Sequence, residues 1–204
     1  KALEHHSEAP ETYYVHTAGL KVVIPSNPLD AKGLLVSAIR DPDPVIYMEP
    51  KRYYRAFKEE VPEELYTVPI GQAKIIQEGT DLTLVTYGGM TRVCLDALKE
   101  LKEKNQNYSI ELIDLRTLAP LDRKTVLDSV QKTGRLLIVH EAQKIAGFAA
   151  ELIAMVNEKA FLSLQAPPKR VTGLDVPFPY AKSEHYYLPD SFRVRKAINE
   201  LMNY

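Results

Sequence analysis

The chain has a single cysteine, Cys94, among 204 residues, so no internal disulfide can staple it, and a reducing compartment suits it. It carries almost no net charge: 26 Lys and Arg against 27 Asp and Glu leave -1. Nothing electrostatic therefore favours nucleic acid or an anionic membrane as its main partner. No apolar run reaches the roughly 20 residues that cross a bilayer. Lys1 to His6 lacks the apolar core of a signal peptide and has no Met, so the natural chain is expected to continue upstream. His and Cys show no zinc-type spacing. There is no internal repeat and no low-complexity tract. With 45% hydrophobic and 26% charged residues, the composition supports one or two compact domains with real cores.

Strand and helix signals alternate along the chain, which points to an α/β protein. Leu20 to Pro25 and Val45 to Met48 read as buried strands around a helix from Pro28 to Asp41. Pro28 suits a first helical turn, and Pro42 and Pro44 stop the helix. One such unit makes no sheet by itself, so residues 1–61 look like the end of a domain. Residues 62–72, with Glu63-Glu64 between two prolines, read as a solvated linker. Residues 73–204 form a second unit. Its strands are expected at Ala73 to Gln77, Leu82 to Tyr87, Ile110 to Asp114, Leu136 to His140 and Lys169 to Thr172. Its helices are expected at Met90 to Glu103, Asp122 to Lys132, Ala146 to Glu158 and Ser191 to Met202. Asp122 is a candidate N-cap. This alternation predicts a mostly parallel sheet flanked by helices on both faces.

Chemistry concentrates at the N-terminus, in Glu4, His5, His6, Ser7, Glu8 and Glu11. Ser7 could cap a short helix from Glu8 to about His16. A histidine beside such a helix start feels backbone dipoles that favour neutral imidazole and carboxylates that favour imidazolium. It could pass a proton near neutral pH. A surface histidine pair is the plainer reading of the same residues. His16 is expected to pack at the helix end. His140-Glu141 closes a strand, where α/β proteins often place functional groups; an interface or core-edge pair is the alternative favoured. Tyr87-Gly88-Gly89 reads as a tight strand-to-helix turn, since Gly89-Met90-Thr91 breaks the dinucleotide fingerprint. Lys51-Arg52-Tyr53-Tyr54-Arg55 mixes basic and aromatic residues as single-strand binders do, but Glu59-Glu60 follows, and a domain edge fits better. Cys94 needs no role beyond packing.

Beyond these features, the chain resembles a known family throughout: the beta subunits of the thiamine-dependent decarboxylases of 2-oxo acid dehydrogenase complexes. The resemblance runs through His6-Ser7-Glu8-Ala9-Pro10-Glu11, Gly19-Leu20-Lys21-Val22-Val23-Ile24-Pro25, Asp30-Ala31-Lys32-Gly33-Leu34-Leu35 and Pro44-Val45-Ile46-Tyr47-Met48-Glu49-Pro50-Lys51. It continues at Glu60-Val61-Pro62, Ile113-Asp114-Leu115-Arg116-Thr117, Lys132-Thr133-Gly134-Arg135, Arg170-Val171-Thr172-Gly173 and Pro177-Phe178-Pro179-Tyr180.

That resemblance implies the tail of a thiamine pyrimidine-binding α/β domain followed by a transketolase C-terminal-like domain. It implies thiamine diphosphate with magnesium, held mainly by an alpha subunit and by an upstream segment that carries the activating glutamate. His6 falls on the family's active-site histidine, near thiamine, which is thought to supply a proton when lipoamide is acylated; His5 competes for that place. Ala38, Asp41 and Asp43 fall on potassium ligands, the first and third through backbone carbonyls; an Asp-Pro turn is the alternative. Implied partners are the alpha subunit, a second beta subunit, and the peripheral-binding domain of a lipoyl acyltransferase, docking near the Tyr204 carboxylate. Nucleic acid and membrane are not expected. A cytoplasmic home, or the mitochondrial matrix in a eukaryote, goes with this assignment. Met48-Glu49-Pro50-Lys51 and Glu59-Glu60-Val61-Pro62 lean toward branched-chain members. A docking module without catalysis, and another transketolase-type enzyme, remain as alternatives.

Overall fold

The computed structural model describes residues 7–180 and 182–204. The candidate His6 and its neighbour His5 lie outside these described residues.

Among the described residues, eight strands and seven α-helices broadly follow the expected alternation: α1 (Glu11–Val15), β1 (Lys21–Val23), α2 (Pro28–Arg40), β2 (Val45–Tyr47), β3 (Lys74–Gln77), β4 (Leu82–Thr86), α3 (Met90–Glu103), β5 (Ile110–Asp114), β6 (Thr117–Ala119), α4 (Arg123–Thr133), β7 (Leu136–Val139), α5 (Ala149–Ala160), β8 (Lys169–Val171), α6 (Glu184–Tyr187) and α7 (Ser191–Met202). The main sheet runs β3-β5-β4-β7-β8. Its pairings are parallel except at the edge, where β3 lies antiparallel to β5.

Side-chain alternation along the strands sorts the core into two layers. Leu82, Leu84, Leu137 and Val139 face α3 and α7, meeting Cys94, Leu98, Val194 and Ile198. Val85, Leu136 and Ile138 face the other way, onto Val126 and Val130 of α4 and Leu152 and Val156 of α5. Burial on both faces explains why these strands read as continuous apolar runs. Asp122 caps α4 as expected, accepting from the Thr125 N–H, and at the other end Gly134 takes the left-handed C-cap at φ +71°.

The N-terminal segment is bound to this unit by a shared strand. In a second, three-stranded sheet ordered β2-β1-β6, β1 pairs parallel with β2 and antiparallel with β6, which belongs to the C-terminal unit. Residues 62–72 form no helix or strand, yet part of this stretch is docked. Tyr66, Val68 and Ile70 pack with Val23 and Leu34. The Val68 N–H donates to the Gly33 carbonyl, and the Ser37 hydroxyl donates to the Val68 carbonyl.

Three local expectations are corrected. The first helix begins at Glu11, with Pro10 at its N-cap and no side-chain cap, so Ser7 does not start it. His16 ends that helix exposed rather than packed. The helix expected from Ala146 begins only at Ala149, because Ala146 sits at φ +54° in the left-handed region.

Candidate functional site

The N-terminal segment meets the carboxyl ends of β4 and β7 through a buried carboxylate. Glu11, the first residue of α1, is 2% exposed. Its Oε1 accepts a hydrogen bond from the Tyr87 hydroxyl at 2.7 Å. Tyr87 follows β4 and is itself buried, stacked with the His140 ring at 6.2 Å and edge-on to Phe148 at 6.1 Å. Burial raises the Glu11 carboxyl to about 7; the Tyr87 hydrogen bond opposes this, and the Glu141 carboxylate reinforces it. Tyr87 is pushed well up by burial and by Glu11. Burial drives His140 down to about 4, so it is neutral at physiological pH. Neither of its ring nitrogens makes a hydrogen bond of ordinary geometry. His140 is therefore a core residue, as the plainer reading had it.

A second junction lies on the other side of β1. Arg116 sits between β5 and β6 at φ +56°, and its Nη1 reaches Asp30 Oδ1 of α2 at 3.0 Å. Its Nε donates to the Gln72 carbonyl. Asp114 accepts from the Ser26 hydroxyl and, at 3.1 Å, from the Arg116 N–H. Burial lifts Asp114 to about 6, against the lowering effect of the Ser26 hydrogen bond. Sequence reasoning singled out none of Asp30, Tyr87 or Arg116 as a site residue, and took Glu11 only as a first-turn carboxylate. A signal was present: Glu111, Asp114 and Arg116 interrupt an otherwise apolar stretch, and charges so placed are paired when buried.

The three cation candidates lie together at the end of α2. Asp41 is its C-cap and takes the Lys21 ammonium on both oxygens, at 2.7 and 2.9 Å. Asp43 meets the same ammonium at 3.0 Å and donates its N–H to Asp41 Oδ1. Lys21 thus already pairs with both carboxylates, leaving one net negative charge between them, and holds Asp41 below the usual carboxylate range. The Ala38 carbonyl belongs to the last turn of α2, and the residue four places on is Pro42, which has no N–H to offer. A cation here would take the Ala38 and Asp43 carbonyl oxygens beside the negative end of the helix dipole, with the Asp41 carboxylate shared between it and Lys21. Among the described residues, no group of three or more His, Cys, Asp or Glu side chains could hold a metal.

The remaining candidates resolve as packing. Gly88 takes φ +54° against the Ile24 side chain, which makes Tyr87-Gly88-Gly89 a tight turn. The Tyr53 hydroxyl donates to the Gly89 carbonyl and accepts from the Arg92 N–H, so the basic-aromatic stretch sits as a cover on the start of α3. Cys94 is buried and its thiol is pushed up to about 12. His185 stays on the surface beside Tyr186. A cleft of about 600 Å³ opens beside α1, lined by Thr12, Val15, His16, Pro120, Arg123 and Phe148 among others. Glu11 does not line it. The described residues do not by themselves form a seat for thiamine diphosphate: the acidic and basic side chains that line the cleft, Glu151 and Arg123, pair with each other.

These features define an α/β protein with a mixed five-stranded sheet between two helix layers and an N-terminal α/β segment clamped to it. The chain belongs to the transketolase C-terminal domain family, which matches residues 71–194. Residues 1–56 match the transketolase pyrimidine-binding domain. The sequence is 52% identical to the pyruvate dehydrogenase E1 component subunit beta of Acholeplasma laidlawii, over 98% of this chain and 61% of that protein. It is 50% identical to the mitochondrial 2-oxoisovalerate dehydrogenase subunit beta of Dictyostelium discoideum, over 98% of this chain and 54% of that protein. The chain thus spans little more than half the length of these relatives. Among solved structures, an inactive beta4 tetramer of a split-gene transketolase shares the fold, with a TM-score of 0.79 at 20% identity over 97% of this chain and 63% of its own.

Proposed function

We propose that this chain is the C-terminal portion of the beta subunit of a 2-oxo acid dehydrogenase, which decarboxylates a 2-oxo acid oxidatively and passes the acyl group to lipoamide. The observation that carries this reading is identity of about one residue in two along nearly the whole chain, spanning both domain matches. In this reading an alpha subunit binds the diphosphate of thiamine through magnesium, and two beta subunits complete a heterotetramer. The acyltransferase's peripheral-binding domain docks near Tyr204. Residues 1–61 close the pyrimidine-binding domain, 62–72 connect, and 73–204 form the C-terminal domain.

Thiamine diphosphate supplies the carbanion chemistry when bound. This chain would bring His6 as a proton donor during lipoamide acylation. The test is co-expression of the full-length subunit with its alpha partner, followed by turnover of pyruvate and of 2-oxoisovalerate. Decarboxylation should require both subunits, and the preferred acid identifies the substrate. His6→Ala should reduce lipoamide acylation by roughly 10²–10⁴-fold, the usual range for a general acid, while decarboxylation coupled to an artificial oxidant survives. Equal loss of both activities would remove His6 from that role.

Potassium binding at Ala38, Asp41 and Asp43 belongs to the same reading. The full-length subunit should melt at higher temperature in potassium than in sodium chloride at equal ionic strength. Asp41→Asn should abolish the difference; persistence of the full difference in that variant would place the ion elsewhere.

A further inference from the structure

The Glu11 seat has no role in the reaction proposed above, and its construction is unusual for a surface helix. A five-residue helix turns its first side chain into the protein and leaves Tyr13 77% exposed. The groups around that side chain come from every neighbouring element. From β4 comes the Tyr87 hydroxyl, its hydrogen-bond donor. From the end of β7 come His140, neutral in its stack with Tyr87, and the Glu141 carboxylate. Tyr187 of α6 feels Glu141, Glu11 and Glu8 together, with Asp175 behind them. The described cations of the adjoining elements pair with other carboxylates: Lys21 of β1 with Asp41 and Asp43, Arg123 with Glu151 at 3.3 Å, and Arg52 with Glu141 itself at 3.9 Å, which weakens but does not cancel the Glu141 field on Glu11. The seat therefore offers a carboxylate the Tyr87 hydroxyl, its own backbone N–H and the field of another carboxylate, and these two donors do not offset its burial.

We propose that Glu11 is a proton-operated latch: with its proton on, α1 stays seated against the end of β4, and with its proton off, α1 lifts. A neutral carboxyl keeps the Tyr87 hydrogen bond and loses little by leaving water. A carboxylate in the same place is desolvated beside Glu141, and among the described residues no cation forms an ion pair with it. The acid is held at about 7 when seated, against 4.5 in water. A group raised by docking stabilises the docked state fully below its free value and loses that contribution as pH rises through the docked value. The latch therefore closes in acid and opens toward alkaline pH, across the physiological range.

Hydrogen–deuterium exchange at the α1 amides of the intact protein, corrected for the chemical exchange rate, reads the opening directly. The wild-type opening equilibrium should grow roughly 30-fold between about pH 5.5 and 8.5, levelling above 7. Glu11→Gln, which cannot ionise, should show no such rise. Tyr87→Phe removes the bond that favours the carboxylate, so its midpoint should move to higher pH. A simple loss of packing would instead lower protection at every pH and leave the midpoint in place. Wild-type opening independent of pH, an undiminished rise in Glu11→Gln, or an unmoved midpoint in Tyr87→Phe would each overturn the latch.

Discussion

Arg116 shows how much one side chain can hold. It is 9% exposed, kept in a left-handed backbone conformation, and joined to an Asp30 that is 1% exposed. Truncation would leave the buried Asp30 carboxylate with the Asn27 amide at 2.7 Å and the Lys74 ammonium at 3.9 Å, so Arg116→Ala should cost about 3 kcal/mol in denaturant unfolding, the low end for a broken buried pair. Asp114 beside it offers a finer probe. Its folded value of about 6 lies above the ordinary 3.8, so the protonated form is the stabilising one. That contribution is complete below about pH 4 and gone above about 6, an amount on the order of 2–3 kcal/mol. The stability difference between wild type and Asp114→Asn should therefore fall across that window and stay level above it. In an Arg116→Ala background the window should shift to higher pH, since a cation that favours the carboxylate has been removed. An unshifted window would mean that Arg116 does not act on Asp114.

At the scale of elements, α2 carries the crossing segment on its back, and Gly33 is what permits the contact. A methyl group there would lie 2.5 Å from Val68 Cγ2 and 2.8 Å from Tyr66 Cε2. Alanine is worth up to about 1 kcal/mol to a helix interior, but overpacking costs typically 1–3 kcal/mol. Gly33→Ala should therefore destabilise the docking and expose residues 62–70 to limited proteolysis; unchanged cleavage would show that α2 and the segment separate freely. Elements of this length were mostly legible in the sequence. Helices α2, α3, α4 and α7 and the central strands fell within a residue or two of their expected bounds, because caps, prolines and apolar periodicity are local signals. What escaped was decided at a distance. Strand β6 is three residues long and exists because β1, nearly a hundred residues earlier, supplies its partner. The antiparallel edge at β3 is likewise a choice of pairing that alternating strands and helices do not encode. Buried site residues escaped for the same reason: nothing near Glu11 in the sequence announces Tyr87.

Across the whole molecule, the N-terminal segment and the C-terminal unit behave as one body. They share the β2-β1-β6 sheet, the Glu11–Tyr87 bond and the Asp30–Arg116 pair, which lie at separate places along the seam. The shared sheet also sets an order of events during synthesis. A ribosome working at roughly 5–20 residues per second would release β1 roughly 5–20 s before β6 exists. Over that interval β2 is the one partner among the described strands that has emerged for the apolar Val22-Val23, and its other edge depends on chaperones or other segments for cover. Nascent chains stalled before Thr117 has emerged should leave the first sixty residues open to protease, and chains stalled well beyond Ala119 should protect them. Equal protection at both stalls would mean that the segment is already sheltered before its last strand arrives.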